Sequence, residues 1–272
     1  MSDRAILPHA CDRFGCGLNG SRAWVSGRAA GSQCPLPDVA GAPLTSAEQL
    51  FTAAPHDLAC LACLACLADA CASCRRCQLA AGRQQVVVSR GNPRARLMVI
   101  GEGPGAQEDA TGQPFVGRAG QLLDQMLASV AIDSNRDAYI CNVVKCRPPD
   151  NRKPTPAEMA ACRPWLEQQI QLVDPAVILL AGATALEGVL GIRGGISRLR
   201  GQWHSHHSPP LAGRQLMPIF HPSYLLRNAS RAQGSPTWHT WQDLQKVRRV
   251  LDGLEGERSG SSAPCSPVQQ PL

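Results

Sequence analysis

The sequence is poor in aromatic residues, has no long apolar run and shows only a modest excess of positive charge. Phe, Trp and Tyr make up 4% of its 272 residues, so any ring standing alone beside an unusual loop draws notice. No run approaches the ~18 apolar residues that a membrane-spanning helix needs, which excludes a helical membrane protein. The opening segment, MSDRAILPHACDRFG, lacks the basic-then-apolar layout of a secretory signal. The chain is therefore expected in a reducing cytoplasm, where clustered cysteines serve metal or redox chemistry more often than disulfides.

Cysteine is what the chain has in plenty, 13 residues in all. Six of them crowd between Cys60 and Cys77 in CLACLACLADACASCRRC. The charge is unevenly spread. Residues 71–255 hold 22 Lys/Arg against 14 Asp/Glu, whereas residues 1–70 hold four Arg against six acids. A basic surplus confined to one region suits an anionic partner such as nucleic acid.

Residues 1–55 are rich in Gly, Ala, Pro and Ser without sustained periodicity, and residues 256–272 are similar. Both are expected to be disordered, leaving one domain over 56–255. Within it, apolar runs alternate with helical patterns. Arg96–Gly101 (RLMVIG), Ala138–Val144 (AYICNVV), Ala176–Gly182 (AVILLAG) and Gln215–Phe220 (QLMPIF) read as strands. Pro218 puts the last of these at a strand end or a sheet edge. Between them, Leu122, Leu123, Met126, Leu127 and Val130 share a helical face. Thr155, Pro156 and Glu158 form a helix start with a capping box. Further helices are expected at about 183–190 and 237–251. This order predicts a three-layer α/β/α sandwich around a short, mainly parallel, four-stranded sheet.

Ligands of such sheets bind beyond the carboxyl ends of the strands. Three segments fall there: GEGPGAQED, CNVVKCRPPDN and HPSYLLRN. In this order, within GNPRARLMVIGEGPGAQEDATGQPFVGRAGQLLDQML, NVVKCRPPDNRKPTPAEMAACRPWL and FHPSYLLRN, they resemble the family 4 uracil-DNA glycosylases, the iron–sulfur branch of the uracil-DNA glycosylase superfamily. The resemblance spans roughly residues 71–252. It implies an enzyme that flips uracil out of double- or single-stranded DNA and hydrolyses its N-glycosidic bond. The expected protein is a monomer with no membrane partner.

The resemblance also implies one [4Fe-4S] cluster on Cys74, Cys77, Cys146 and Cys162. Four thiolates are the set such a cluster needs, although zinc would accept the same sulfurs. Cys60, Cys63, Cys66 and Cys71 are surplus, and read as small hydrophobes on an Ala/Leu/Cys helix. For the base pocket the family match makes Phe115 the stacking ring, Asn142 the uracil-reading amide and His221 the donor to uracil O2. Glu102, with Gly103 and Pro104, is placed against the base and the attacking water. Glu108 is expected to pair with Asn151 to orient that water, with Asp109 as a third acid of undivided role. Leu225 and Leu226 are expected to wedge between base steps, with Arg227 on a phosphate. His204, His206 and His207 read as a solvated loop.

Three rival readings remain. One is a non-catalytic iron–sulfur module that binds nucleic acid. The second is a redox or electron-transfer protein built on the cysteine-rich run, disfavoured because its ferredoxin-like spacing is incomplete. The third is a relative that becomes covalently trapped on uracil-containing DNA. That branch carries a histidine-bearing insertion after the second strand, and RPPDNRKPTP has none.

Overall fold

Strand alternation sets the layers. In the computed structural model, which describes residues 64–260, five strands form one sheet in the order β1-β3-β2-β4-β5. These are β1 (Arg90–Gly91), β2 (Leu97–Gly101), β3 (Ala138–Asn142), β4 (Val177–Ala181) and β5 (Gln215–Ile219). The β2, β3, β4 and β5 ladder is parallel throughout. The fifth strand, absent from the sequence expectation, is the two-residue β1, antiparallel to β3. Two residues carry no periodicity, so nothing in the sequence marks them. Pro218 lies on the edge strand β5, which pairs only with β4 in the sheet.

Successive strand residues point to opposite faces. Met98, Ile100, Tyr139, Cys141, Ile178 and Leu180 enter one core, whereas Leu97, Val99, Ile140, Val177 and Leu179 enter the other. The first core is covered by α1 (Leu64–Ala72), α5 (Pro156–Val173) and α6 (Ala183–Leu190), through residues such as Leu67, Trp165 and Leu186. The second is covered by α4 (Arg118–Ala128), α8 (Pro222–Arg227) and α9 (Pro236–Gly260), through Leu123, Leu225 and Val247. Three short α-helices, α2 (Leu79–Gly82), α3 (Ala106–Thr111) and α7 (Ile196–Leu199), and a 3-10 turn at Pro149–Asn151 complete the described set. Helix α9 continues past the end expected near residue 251, to Gly260. The disorder expected of residues 1–55 and 261–272 lies outside the described residues, whereas residues 256–260, expected to be disordered too, continue the helix. Among those described, no helix is long and apolar enough to cross a membrane.

Helix α5 begins as its capping box requires. Thr155 accepts from the Glu158 N–H at 3.2 Å, and the Glu158 carboxylate accepts from the Thr155 N–H at 2.7 Å. Arg152 grips both Glu158 oxygens at 2.8 and 2.7 Å, holding that carboxyl down at about 2.

The chain runs from β2 outward to β3, then crosses back to the other side of β2 for β4. Strand order therefore reverses between β2 and β4, and a crevice opens outside their carboxyl ends at such a reversal. The loops after β2, β3 and β5 converge there.

Candidate active site

Two glycines at strand ends make the room. Strand β2 ends at Gly101, where a Cβ atom would lie 2.4 Å from Phe115 Cζ and 2.5 Å from Asn142 Oδ1. Both side chains therefore press against bare backbone. Gly182, just beyond β4, has φ +94°, and a Cβ there would sit 2.9 Å from His221 Cβ. The Phe115 and His221 rings lie 5.9 Å apart, tilted by 32°. A ring, an amide and an imidazole from three separate loops thus meet at one rim of the sheet.

Phe115 has φ +56°, a conformation a non-glycine residue keeps only where its surroundings over-determine it. They do. Arg90 donates to Pro114 O at 2.9 Å and pairs with Asp124 at 2.6 Å on one side. On the other, Glu108 Oε1 accepts from the N–H groups of Val116 at 3.0 Å and Gly117 at 2.9 Å. The second Glu108 oxygen accepts from Gly105 N–H at 3.1 Å.

Those bonds correct one expectation. Glu108 does not pair with Asn151; its carboxylate is occupied by backbone donors of the two loops it joins. Asn151 is exposed, and its Oδ1 accepts from Arg147 Nε at 2.8 Å. Asp109 is likewise committed elsewhere. It is buried and accepts from Gln84 N–H at 3.0 Å, tying the segment ahead of β1 to α3. Of the three acids only Glu102 faces the β2/β4 crevice, where it accepts from Thr184 Oγ1 at 2.5 Å.

Asn142 is 2% exposed. Its placement is rigid. Past the strand ends the ladder continues, with Val143 N–H donating to Gly101 O at 2.9 Å and Val144 N–H to Glu102 O at 3.2 Å. His221 caps α8: its Nδ1 accepts from Ser223 N–H at 3.1 Å, with Ser223 Oγ at 2.8 Å. A backbone N–H only donates, so Nδ1 is bare and the proton of the neutral ring is on Nε2. Burial, reinforced by the charge of Arg227, brings its pKa down to about 4.

Helix α8 corrects a second expectation. Leu225 is 1% exposed and packs into the core beside Leu123 and Leu244; it is no wedge. Leu226 is half-buried, Arg227 is exposed, and Tyr224 is the large exposed apolar side chain of this helix.

On the opposite face of the sheet, Cys71, Cys74, Cys77, Cys146 and Cys162 line one cavity together with Arg83, Lys145 and Trp165. All are free thiols. Burial pushes the Cys71 and Cys162 thiols up to about 12 and raises those of Cys77 and Cys146. Three of the five sulfurs receive an N–H. Trp165 Nε1 donates to Cys74, Arg83 Nη1 to Cys146 and Lys145 N–H to Cys162, each at 3.3 Å. The Leu79 backbone partly offsets the burial of Cys77. Among the described residues no N–H points at Cys71.

The sequence profile of the uracil DNA glycosylase superfamily matches residues 88–245. The chain belongs to this superfamily. Among superfamily relatives, the type-4 uracil-DNA glycosylase of Thermotoga maritima is 48% identical over 185 residues, covering 66% of this chain and 85% of the relative. That of Sulfurisphaera tokodaii is 36% identical over 175 residues, covering 62% and 76%. The type-5 uracil-DNA glycosylase of Thermus thermophilus is 34% identical over 150 residues, covering 49% and 67%.

As a superfamily site, the rim holds residues that sequence reasoning passed over. Thr184 reads as an ordinary helix-start threonine until Glu102 is seen against it. Lys145 reads as one more surface cation. The three thiols of the cavity that receive an N–H are all among the four that the family pattern names, and sulfur ligands of iron–sulfur clusters are commonly tuned by such bonds. Among the described residues no three His, Cys, Asp or Glu side chains gather closely enough for a single metal ion. Five cysteines line the one cavity, and four thiolates are the donor set that a [4Fe-4S] cluster takes.

Proposed function

We propose that this chain is a uracil-DNA glycosylase that turns uracil out of DNA and hydrolyses its N-glycosidic bond, leaving an abasic site. The observation that carries the reading is the meeting of Phe115, Asn142 and a neutral His221 at the strand-order reversal. A base within a duplex is out of reach, so the enzyme extrudes it and reads its edge in a pocket. Phe115, locked by its loop, offers a rigid face for the pyrimidine. Asn142 offers a donor to uracil O4 and an acceptor for N3–H. Cytosine reverses both positions, and a buried mismatch leaves polar groups unpaired.

Water adds its oxygen to C1′ as the N1–C1′ bond breaks, the bonding electron pair leaves with uracil, and the proton the water sheds passes to the Glu102 carboxylate. The sugar passes through an oxocarbenium-like state. Negative charge gathers on uracil O2, and the Nε2–H of His221 is a fixed donor to it. Neutrality matters, because a preset dipole serves without a proton having to move. Glu102, oriented by Thr184, places the water and balances the cationic sugar. Gly103 and Pro104 form the backbone wall beside it. Arg227 holds a phosphate while Leu226 and Tyr224 press on the opened stack.

Cys74, Cys77, Cys146 and Cys162 are the residues that would hold a [4Fe-4S] cluster. When bound, it supplies a staple joining the segment ahead of β1 to the β3 loop and to α5. Its iron content is measurable directly.

The test is incubation of the purified protein with a uracil-containing oligonucleotide, scored for free uracil and an alkali-labile abasic site. Release of uracil, severely reduced but still measurable in Asn142→Ala and reduced in His221→Gln, supports the reading. Tight binding without release would favour a non-catalytic module. A denaturant-resistant protein–DNA adduct would favour the covalently trapped relative.

A further inference from the structure

Lys145 is 1% exposed and among the largest fully buried side chains of the described residues. Among those residues it enters no ion pair with a carboxylate. A buried ammonium with no opposite charge is costly, and structures that keep one have a compensating anion nearby. Its Nζ donates to the backbone oxygen of Asn142 at 2.6 Å. Lys145 also lines the five-cysteine cavity, and its own N–H donates to Cys162 Sγ at 3.3 Å. Val87 N–H fixes its carbonyl at 2.8 Å. One residue therefore touches the thiol cavity with its backbone and the base-reading strand end with its side chain.

We propose that Lys145 is a positioning residue that couples the cysteine cavity to Asn142. Its charge balances the thiolates of the filled cavity, and that balance holds Nζ on the Asn142 carbonyl. The amide that reads uracil is thereby kept in register by a group on the far side of the sheet. This inference rests on the reading that the four thiols hold a [4Fe-4S] cluster. It assigns the cluster site a part in pocket geometry through a named side chain, beyond joining segments.

The experiment compares wild-type holoprotein, Lys145→Met and Lys145→Gln, each also in an Asn142→Ala background. Iron content and visible absorbance report loading. The cluster's reduction equilibrium and kcat/KM on a uracil-containing oligonucleotide report coupling. Loss of the nearby positive charge is expected to disfavour reduction about tenfold, ~59 mV for one electron, in both the Met and the Gln variant. Lys145→Met is expected to lower kcat/KM about tenfold when Asn142 is present and less than twofold when it is not, the non-additivity expected of residues acting through one another. Equal losses in both backgrounds, or an unchanged reduction equilibrium in a loaded variant, overturn the proposal. Should the Met variant fail to accumulate, the Gln variant decides by the same two readouts. A wild-type protein that releases uracil but contains no iron overturns the cluster reading and this proposal together, leaving the glycosylase assignment intact. An iron-loaded wild type that releases no uracil overturns that assignment alone. Binding of the uracil oligonucleotide, measured in the same two backgrounds, then decides the coupling.

Discussion

His221 depends on what its other nitrogen does. With Nδ1 filled by Ser223 N–H and burial bringing the pKa to about 4, the ring stays neutral through the physiological range. Single-turnover rates should therefore show no acid limb centred near 6.5, the ordinary histidine value, and His221→Gln should slow turnover by about 10²–10³-fold, as loss of a preorganised donor does. The same depressed pKa bears on stability. Between 6.5 and about 4 the unfolded chain takes up a proton that the folded chain refuses. Folding should thus weaken as pH falls through this window, and the slope should shrink in His221→Gln when unfolding is followed by denaturant titration. At this scale Phe115, Asn142 and His221 were picked out by the resemblance of three motifs to one family, and the fold brings these side chains together at one rim. Lys145 was not picked out. Nothing local distinguishes a lysine in VVKCRPP from any other, and its burial is created by three segments that meet only in the fold.

At the scale of elements, Glu108 binds the loop after β2 to the loop that carries Phe115. Three backbone donors converge on its carboxylate. Glu108→Gln leaves an amide nitrogen facing at least one N–H, and it should loosen the strained Phe115 turn. The expected result is about 1–3 kcal/mol of lost stability and a raised KM, with the chemical step less affected; thermal melts and steady-state kinetics separate the two. A carboxylate beside a glycine-rich loop reads as catalytic in sequence, because the N–H groups eight and nine residues onward have no letter of their own. Helix α8 teaches a similar lesson about phase. In a six-residue helix, periodicity is too short to say which of Leu225 and Leu226 turns inward. Core packing against α4 settles it for Leu225. Leu226→Ala and Tyr224→Ala should each lower activity on duplex more than on single-stranded substrate. Equal losses on both substrates would rule out a role in opening the stack.

At the scale of the whole molecule, the three layers and the mainly parallel sheet followed from the alternation of apolar runs and helical patterns. The two-residue edge strand β1 and the order of the strands did not. The family pattern had already set Cys71 apart from the other four thiols of the cavity, and the three sulfurs that receive an N–H are among those four. Cys71→Ser should therefore keep the full iron content and visible chromophore, whereas Cys146→Ser should lose iron, with the segment ahead of β1 more readily cleaved in limited proteolysis. Removing iron from the wild type with a chelator should lower the melting temperature in the same direction. Binding to DNA should weaken steeply with salt, since the basic surplus lies in residues 71–255 and phosphate contacts release counterions.

The placement of the thiols along the chain carries a consequence for biogenesis. Cys74 and Cys77 precede every described strand, and Cys162 comes only after β3. During synthesis the early pair emerges long before the late pair exists, so the cavity is complete only once helix α5 has left the ribosome. With the proposed cluster, iron delivery would be a late maturation step, and in iron-starved cells the sheet would wait with its leading helix unsecured, open to quality-control proteases.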